Sequence, residues 1–424
     1  MPLELTRFPC LSRILSETYQ NEIVYRDHID GAHDLNWLRE YDLFYSRQPN
    51  STSYVKRIFL KSSEKKGENA GFVDIRPITD ASEISETYLR PPKRLCPKNG
   101  AYVKCLRPYR EYGEEVECTP YIMPESIFGM CIHASVWICL KILENQGMIE
   151  KSLSIPEIQT LARGHPYTDK EGLYFVQTAR LLRMCRTHAF YMINIESNLS
   201  DDQMLMELYA YVESSLPVII GVDTHDLTWW SQSTSSGYHS IVAIGHTMQG
   251  NEVDGFIFHD ESALPYQVLK KDELLAAWHI PGQPVRELLV AVPPEVTLPF
   301  LGAYQQLEEM LTVLRDRNII GEKIESLHIR PVLSRAYEPV MRLGTSSLFR
   351  AIQESELKPQ NHMWVIYFYD ENADRGKDES IKGFFARDAT RTTDFRFVFF
   401  REPDIAIYQL AGNKIYQRSE KRKG

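Results

Sequence analysis

Cys131 is the cysteine of this sequence best placed for nucleophilic chemistry. It follows the segment Pro124–Met130 and precedes a periodic apolar stretch, so it lies where a helix is expected to begin. The unpaired backbone N–H groups and the dipole of a helix N-terminus stabilise negative charge. We therefore expect Cys131 to form the nucleophilic thiolate more readily than a thiol elsewhere in the chain. The alternative is a buried cysteine that only fills space at a helix start.

A histidine that could act as its base lies in a predicted hairpin further along the chain. Two apolar strands flank a polar turn at Gln249–Glu252. A hairpin centred between Gln249 and Gly250 would place His239 directly opposite Asp260, with both side chains on one face. A carboxylate in that place fixes the tautomer of an imidazole and stabilises its protonated form. A β-bulge would shift the register by one residue and separate the pair.

The neighbouring histidines are weaker candidates for this role. On the same pairing, His246 and His259 point to the opposite face of the hairpin. His225 lies between Asp223 and Asp226 and could indicate a metal site. Because no third histidine or cysteine stands at ligand spacing, we expect no metal and no cofactor.

The apolar pattern predicts the elements that position these residues. A helix is predicted from Cys131 to just before Gly147. Its apolar face consists of Ile132, Val136, Cys139, Leu140 and Leu143. A second amphipathic helix is predicted at Leu173–Arg186 and a buried strand at Pro217–Asp223. We expect an α+β domain over residues 119–298, in which the Cys131 helix packs on an antiparallel sheet that carries His239 and Asp260.

The two flanking regions have a different character. Residues 1–118 form a strand-rich region, with strands predicted at Tyr54–Leu60 and Gly71–Ile78. Residues 299–424 form a mixed region, with a helix predicted at Gln305–Arg317 and strands towards its end. Because neither flank has a cysteine–histidine set of its own, we expect the flanks to restrict access or to recruit a protein partner.

Composition narrows the function classes further. The chain has 424 residues and a net charge of −9, which disfavours nucleic acid as a partner because an acidic surface repels phosphates. No apolar run is long enough for a membrane span, and the N-terminus lacks the layout of a signal peptide. The seven cysteines are irregularly spaced and indicate neither a disulfide framework nor a zinc knuckle. We expect free thiols in a cytoplasmic protein.

Several short motifs, taken in order, resemble the papain-like cysteine peptidase superfamily, and most of all the branch that processes bacteriocin leader peptides. The motifs are Cys131-Ile132-His133-Ala134-Ser135, Glu171-Gly172-Leu173, Leu216-Pro217-Val218-Ile219, Gly237-Tyr238-His239, Gly245, Asp260 and Ala277-Trp278. The likeness covers residues 119–298 and neither flank. It implies a papain-like domain with Cys131 as nucleophile, His239 as base and Asp260 as the residue that orients the base.

One position departs from the superfamily pattern. The family usually places a glutamine a few residues before the nucleophile, where its amide helps to bind the oxyanion, but this chain has Glu125. An ionised carboxylate only accepts hydrogen bonds and would repel the developing charge. Ser126 could donate instead, Glu125 could be protonated, or the loop could be offset.

The resemblance implies a thiol hydrolase, a peptidase or amidase, that cleaves a peptide or isopeptide-type bond through a Cys131 thioester. We expect Trp229, Trp230 and Tyr238, in and beside the loop before His239, to contact a peptide or protein substrate. Two alternatives stay open: an acyltransferase on the same fold, and a catalytically inactive domain that binds peptides or proteins.

Overall fold

The computed structural model describes most of the chain. The described residues are 13–19, 23–25, 42–44, 54–62, 69–75, 84–111, 114–123, 131–162, 173–195, 199–227, 237–316, 328–336, 338, 358, 360–369, 380–400, 405–410 and 414–419. They group into two compact units. The first comprises Met1–Glu196, Pro217–Thr247 and Asp254–Ala291, and the second comprises Ser197–Leu216, Met248–Val253 and Val292–Gly424. In this part of the chain no helix is both long and apolar enough to cross a membrane.

The first unit begins with an antiparallel sheet. The strands up to the first helix are β1 (Ile23–Tyr25), β2 (Asp42–Phe44), β3 (Tyr54–Ser62), β4 (Asn69–Ile75), β5 (Ile84–Leu89), β6 (Ala101–Val103), β7 (Arg107–Glu111), β8 (Glu114–Cys118) and β9 (Tyr121–Ile122). The sheet has the order β1-β3-β4-β5-β9, with β2 also paired to β3. Strands β7 and β8 form a separate hairpin.

A second antiparallel sheet carries the downstream half of the same unit. It is built from β10 (His188–Ile195), β11 (Val218–Asp223), β12 (Tyr238–Gln249), β13 (Glu252–His259), β14 (Gln267–Lys270) and β15 (Val285–Val292). Its order is β10-β15-β11-β12-β13-β14, and β6 adds to β12. All six residues of β11 are buried, as a central strand with both faces covered requires.

Helix α1 (Cys131–Asn145) begins at the predicted residue. Its predicted apolar face is buried, and so are residues around most of the rest of its surface, from Ile132 to Leu143 except Lys141. A helix that is apolar nearly all round is a core helix rather than a surface helix. Within the described residues, the other α-helices of this unit are α2 (Ile155–Ala162), α3 (Phe175–Met184) and α5 (Lys271–Ala277), and single turns of π- or 3-10 helix lie at Ile14–Thr18, Pro97–Asn99 and Thr224–Asp226.

The second unit combines two helices with an antiparallel meander. The helices are α4 (Asp201–Glu213) and α6 (Phe300–Asp316), and the strands are β16 (His328–Arg335), β17 (His362–Tyr369), β18 (Ile381–Asp388), β19 (Arg396–Phe400), β20 (Ile405–Leu410) and β21 (Lys414–Ser419). The strands pair in sequence order. Alternate residues of β17 (Met363, Val365, Tyr367 and Tyr369) point into one core, because successive strand side chains face opposite ways.

These elements confirm the α+β class with antiparallel sheets. Helix α1 begins at Cys131 as predicted, and the helices predicted at Leu173–Arg186 and Gln305–Arg317 are present with shifted bounds, Arg317 itself lying outside the described residues. Helix α4 and strand β10 were not predicted. The division into regions 1–118, 119–298 and 299–424 stays a prediction.

Candidate functional site

Cys131 is the first residue of α1 and is half-buried, whereas the residues that follow it are buried. One turn further along the helix, Ser135 Oγ lies 3.1 Å from Ser240 Oγ, and both side chains are buried. Ser240 directly follows His239 on β12. This contact fixes the start of α1 beside the start of β12, so the Cys131 thiol and the His239 imidazole lie close together.

His239 and Asp260 meet directly. The distance from His239 Nε2 to Asp260 Oδ1 is 2.9 Å, and both side chains are buried. The same carboxylate oxygen accepts a hydrogen bond from the Ser262 N–H at 3.0 Å. Tyr121 Oη donates to the Asp260 carbonyl oxygen at 3.0 Å, so β9 also holds this segment. Asp260 is thus held through its backbone carbonyl by Tyr121 and through its carboxylate by Ser262.

The hairpin that joins this pair is centred one residue later than predicted. Strand β12 ends at Gln249 and β13 begins at Glu252, which makes Gly250 and Asn251 the turn, with Gly250 at a positive φ of 61°. Moving the centre by one residue changes each pairing by two positions, so the residues that share a face stay the same. Asp260 therefore reaches His239 from just beyond the end of β13 instead of from the position directly opposite.

Glu261 also belongs to this cluster, although the sequence analysis did not identify it. Its Oε2 lies 3.6 Å from His239 Nε2, and its side chain is 3% exposed. Ser262 Oγ donates to the other carboxylate oxygen at 2.9 Å. One donor atom each of Cys131, His239 and Glu261 lie within 4.8 Å of one another.

The charges of the cluster act strongly on the imidazole. Burial is the largest influence and by itself lowers the pKa of His239. The carboxylates of Glu261 and Asp260, together with hydrogen bonds to Asp260 and Cys131, outweigh burial and raise the pKa of His239 well above its ordinary value. Burial, reinforced by Asp260 and opposed by His239, raises the pKa of Glu261 to about 7. The geometry thus favours an imidazolium beside the thiol.

His259 occupies a different environment from His239. It is buried, its Nδ1 accepts a hydrogen bond from the Tyr266 N–H at 3.1 Å, and its ring packs edge-on against Tyr266 and Tyr121. Burial lowers the pKa of His259 to about 3, which keeps the ring neutral. His246 is likewise buried and stacks on Tyr102. Both rings lie in aromatic surroundings away from the cluster of donor atoms around Cys131.

Several other cysteines lie in environments that disfavour a thiolate. Burial raises the pKa of Cys105 to about 12 and that of Cys185 to about 11. It raises the pKa of Cys118 and Cys139 well above the ordinary value. None of these four thiols is a partner of His239 in the contacts described above.

Tyr238, predicted to bind substrate, lies at the edge of the site with part of its ring exposed. Its hydroxyl donates to Glu287, which also accepts from the Tyr191 hydroxyl. The ring covers Gly221, where an added Cβ would lie 2.0 Å from the Tyr238 hydroxyl oxygen. Cys131 is among the groups that raise the pKa of Tyr238, after burial and Glu287, so this ring lies near the thiol. Its orientation is therefore fixed, and its role in binding stays a prediction.

Four predicted site residues lie outside the described residues. They are the oxyanion candidates Glu125 and Ser126 and the substrate-binding candidates Trp229 and Trp230. Their roles stay predictions.

A separate group of side chains that could hold a metal ion lies around the turn after β11. Donor atoms of Asp223, Asp226 and His279 lie within 4.8 Å of one another, and His279 Nε2 is 3.7 Å from an oxygen of each carboxylate. His225, the histidine considered from the sequence, donates its backbone N–H to the Asp223 side chain, which caps the turn, and its ring Nδ1 lies 3.4 Å from Asp226 Oδ1. The histidine that completes the set comes from the segment after α5, which the sequence spacing did not indicate.

No protein-family model matches this sequence, and no curated protein sequence matches it either. The likeness to papain-like peptidases therefore stays an expectation drawn from the motifs. What the described residues offer independently is the geometry: a thiol at a helix start, a buried imidazole beside it, and a carboxylate on the imidazole.

Proposed function

We propose that this protein is a thiol hydrolase with a papain-like catalytic domain, which cleaves a peptide or isopeptide-type bond in a peptide or protein. One observation carries the proposal. The buried His239–Asp260 pair, 2.9 Å apart, stands beside the half-buried Cys131 at the start of α1. Nucleophile, base and orienting carboxylate in contact are the arrangement that acyl transfer requires.

In the first half of the reaction, His239 already holds the proton that came from Cys131, and the Cys131 Sγ thiolate attacks the carbonyl carbon. The C–N bond then breaks, and the amine leaves with the proton that His239 carried, which leaves an acyl thioester on Cys131. With Nε2 held by Asp260, Nδ1 is the ring nitrogen available to exchange this proton with the sulfur.

In the second half, water attacks the thioester carbonyl while His239 takes a proton from the water. The C–S bond breaks and releases the Cys131 thiolate, while the proton taken from water stays on His239, which restores the starting pair. The oxyanion of each step needs hydrogen-bond donors. The backbone N–H of Cys131 at the helix N-terminus is one such donor, and Glu125 or Ser126 stays the predicted second.

The thiol chemistry bears on the cell compartment. The cysteines within the described residues are all free. A free nucleophilic thiol persists in a reducing compartment, so we expect the protein to act in the cytoplasm.

A peptide library provides the test. The full chain and its Cys131→Ala variant are incubated with proteome-derived peptides, and new termini are read by mass spectrometry. Cleavage by the wild type, absent from the variant, supports the proposal. Identical peptide profiles for both proteins, combined with peptide binding by both, would favour the inactive binding module. Transfer of the acyl group to added amines in preference to water would favour the acyltransferase.

A further inference from the structure

Two carboxyl groups approach one imidazole nitrogen at this site. Asp260 Oδ1 lies 2.9 Å and Glu261 Oε2 lies 3.6 Å from His239 Nε2. The orienting role needs one carboxylate, and Asp260 fills it with a direct hydrogen bond. Burying a second carboxyl group is costly unless a specific partner compensates it. The orienting role of Asp260 therefore does not explain why a second carboxyl group, that of Glu261, is buried beside His239.

The groups that face Glu261 come from three elements. His239 projects from β12, Cys131 from the start of α1, and Asp260 precedes Glu261 in the segment after β13. Of these, His239 is the group that gains a positive charge. The neutral Ser262 hydroxyl occupies the other oxygen, Oε1, and so keeps Oε2 on the side of the ring.

We propose that Glu261 is a positioning residue for His239. The Glu261 carboxylate holds the imidazole ring in its protonated form beside Cys131. This inference rests on the proposed thiol hydrolase function and adds a second anion to its catalytic base. It acts through His239 and needs no contact with the substrate.

The consequence is a wider pH range for the imidazolium. The pKa of Glu261 is about 7, so its negative charge is present above neutral pH, where an ordinary imidazolium would already have lost its proton. An opposite charge at this separation typically shifts a titration by about one to three pH units. Glu261 therefore maintains the acid that protonates the leaving amine at and above neutral pH.

The test is the titration of His239, followed through its ring protons by NMR, in the wild type and in Glu261→Gln. Glutamine keeps the shape and an acceptor for Ser262 Oγ but removes the charge. We expect the midpoint to fall by about one pH unit or more. The pH at which the rate of Cys131 modification by a peptidyl vinyl sulfone declines on the basic side should fall together with the His239 midpoint. Glu261→Asp keeps a charge and should restore part of the shift, which a purely structural role would not do.

The outcomes separate this inference from the proposed function. If Cys131 reacts with the probe but the His239 midpoint is the same in Glu261→Gln and the wild type, only the role of Glu261 is refuted. If the midpoint falls but Cys131 never reacts, the proposed function fails while the coupling of the two side chains stands. If Glu261→Gln does not fold, a His239 midpoint in Glu261→Ala that equals that of the wild type would refute the inference.

Discussion

Replacing Asp260 with asparagine removes one negative charge 2.9 Å from His239 Nε2 and preserves the shape of the side chain. Asp260 Oδ1 also accepts the Ser262 N–H at 3.0 Å, and an asparagine oxygen can accept that bond equally well. The change therefore tests how the Asp260 charge acts on the imidazole, with little disturbance of the local backbone.

The size of the effect follows from the distance and the burial. Two unit charges at this separation attract by about 6 kcal/mol at an effective dielectric constant of about 20, which is an upper bound. A hydrogen bond to a charged group contributes about 1.5–3 kcal/mol net. At about 1.4 kcal/mol per tenfold change, these limits correspond to a loss of about 10- to 10⁴-fold in rate. The loss of the equivalent carboxylate in a Ser-His-Asp triad lies at the upper end of that range.

The assay is the second-order rate of Cys131 modification by a peptidyl vinyl sulfone, measured by intact mass at neutral pH. Asp254→Asn is the matched control, because Asp254 lies in the same hairpin but pairs with Lys270 near the surface. We expect Asp260→Asn to be slower by at least about tenfold, and the control to match the wild type. A folded Asp260→Asn protein that reacts within twofold of the wild type would refute the role assigned to the pair.

Two further predictions concern the other histidine and the second unit. His259→Asn places an amide oxygen where Nδ1 accepts the Tyr266 N–H, so we expect the rate of Cys131 modification to be unchanged. His239→Asn should abolish the modification. The reverse pattern would show that His259, and not His239, faces the thiol. Glu207 is buried, accepts the Leu301 N–H, and has its pKa raised by burial from 4.5 to about 7, so the folded state binds this proton more tightly than the unfolded state. Its contribution to the free energy of unfolding should therefore fall as pH rises from 4.5 to 7, by up to about 3 kcal/mol. Urea unfolding of the wild type and of Glu207→Gln at the two ends of this range checks the prediction, and an equal pH dependence in both proteins would contradict it.

The fold was predictable where a single periodicity dominates the sequence. The apolar residues of α1 recur at helical spacing, and β11 is a short continuous apolar run, so each indicates one structure. Helix α4 was not predicted, although Ser200 and Gln203 form a capping box that marks its N-terminus in the sequence. Its buried face includes Glu207 and Glu213, and these acidic residues interrupt the apolar pattern.

The site was predictable in part for a related reason. A shift of a hairpin centre by one residue leaves the same residues on the same face of the sheet. His239 and Asp260 could therefore be paired, although the predicted turn was one residue too early. Glu261 could not be found in this way, because alternation along a regular strand sends it to the face opposite Asp260. Strand β13 ends at His259 and the chain enters a turn, so the alternation lapses and both carboxylates reach the same ring.

Limited alkylation of the native protein with iodoacetamide at mildly acidic pH, followed by peptide mapping, shows whether Cys131 is the activated nucleophile. Thiols such as Cys105 and Cys139, whose pKa values are raised by burial, should stay unmodified because they form no thiolate there. We expect Cys131 to be modified first and His239→Asn to remove this preference. Equal labelling of several cysteines, or none at Cys131, would contradict this expectation.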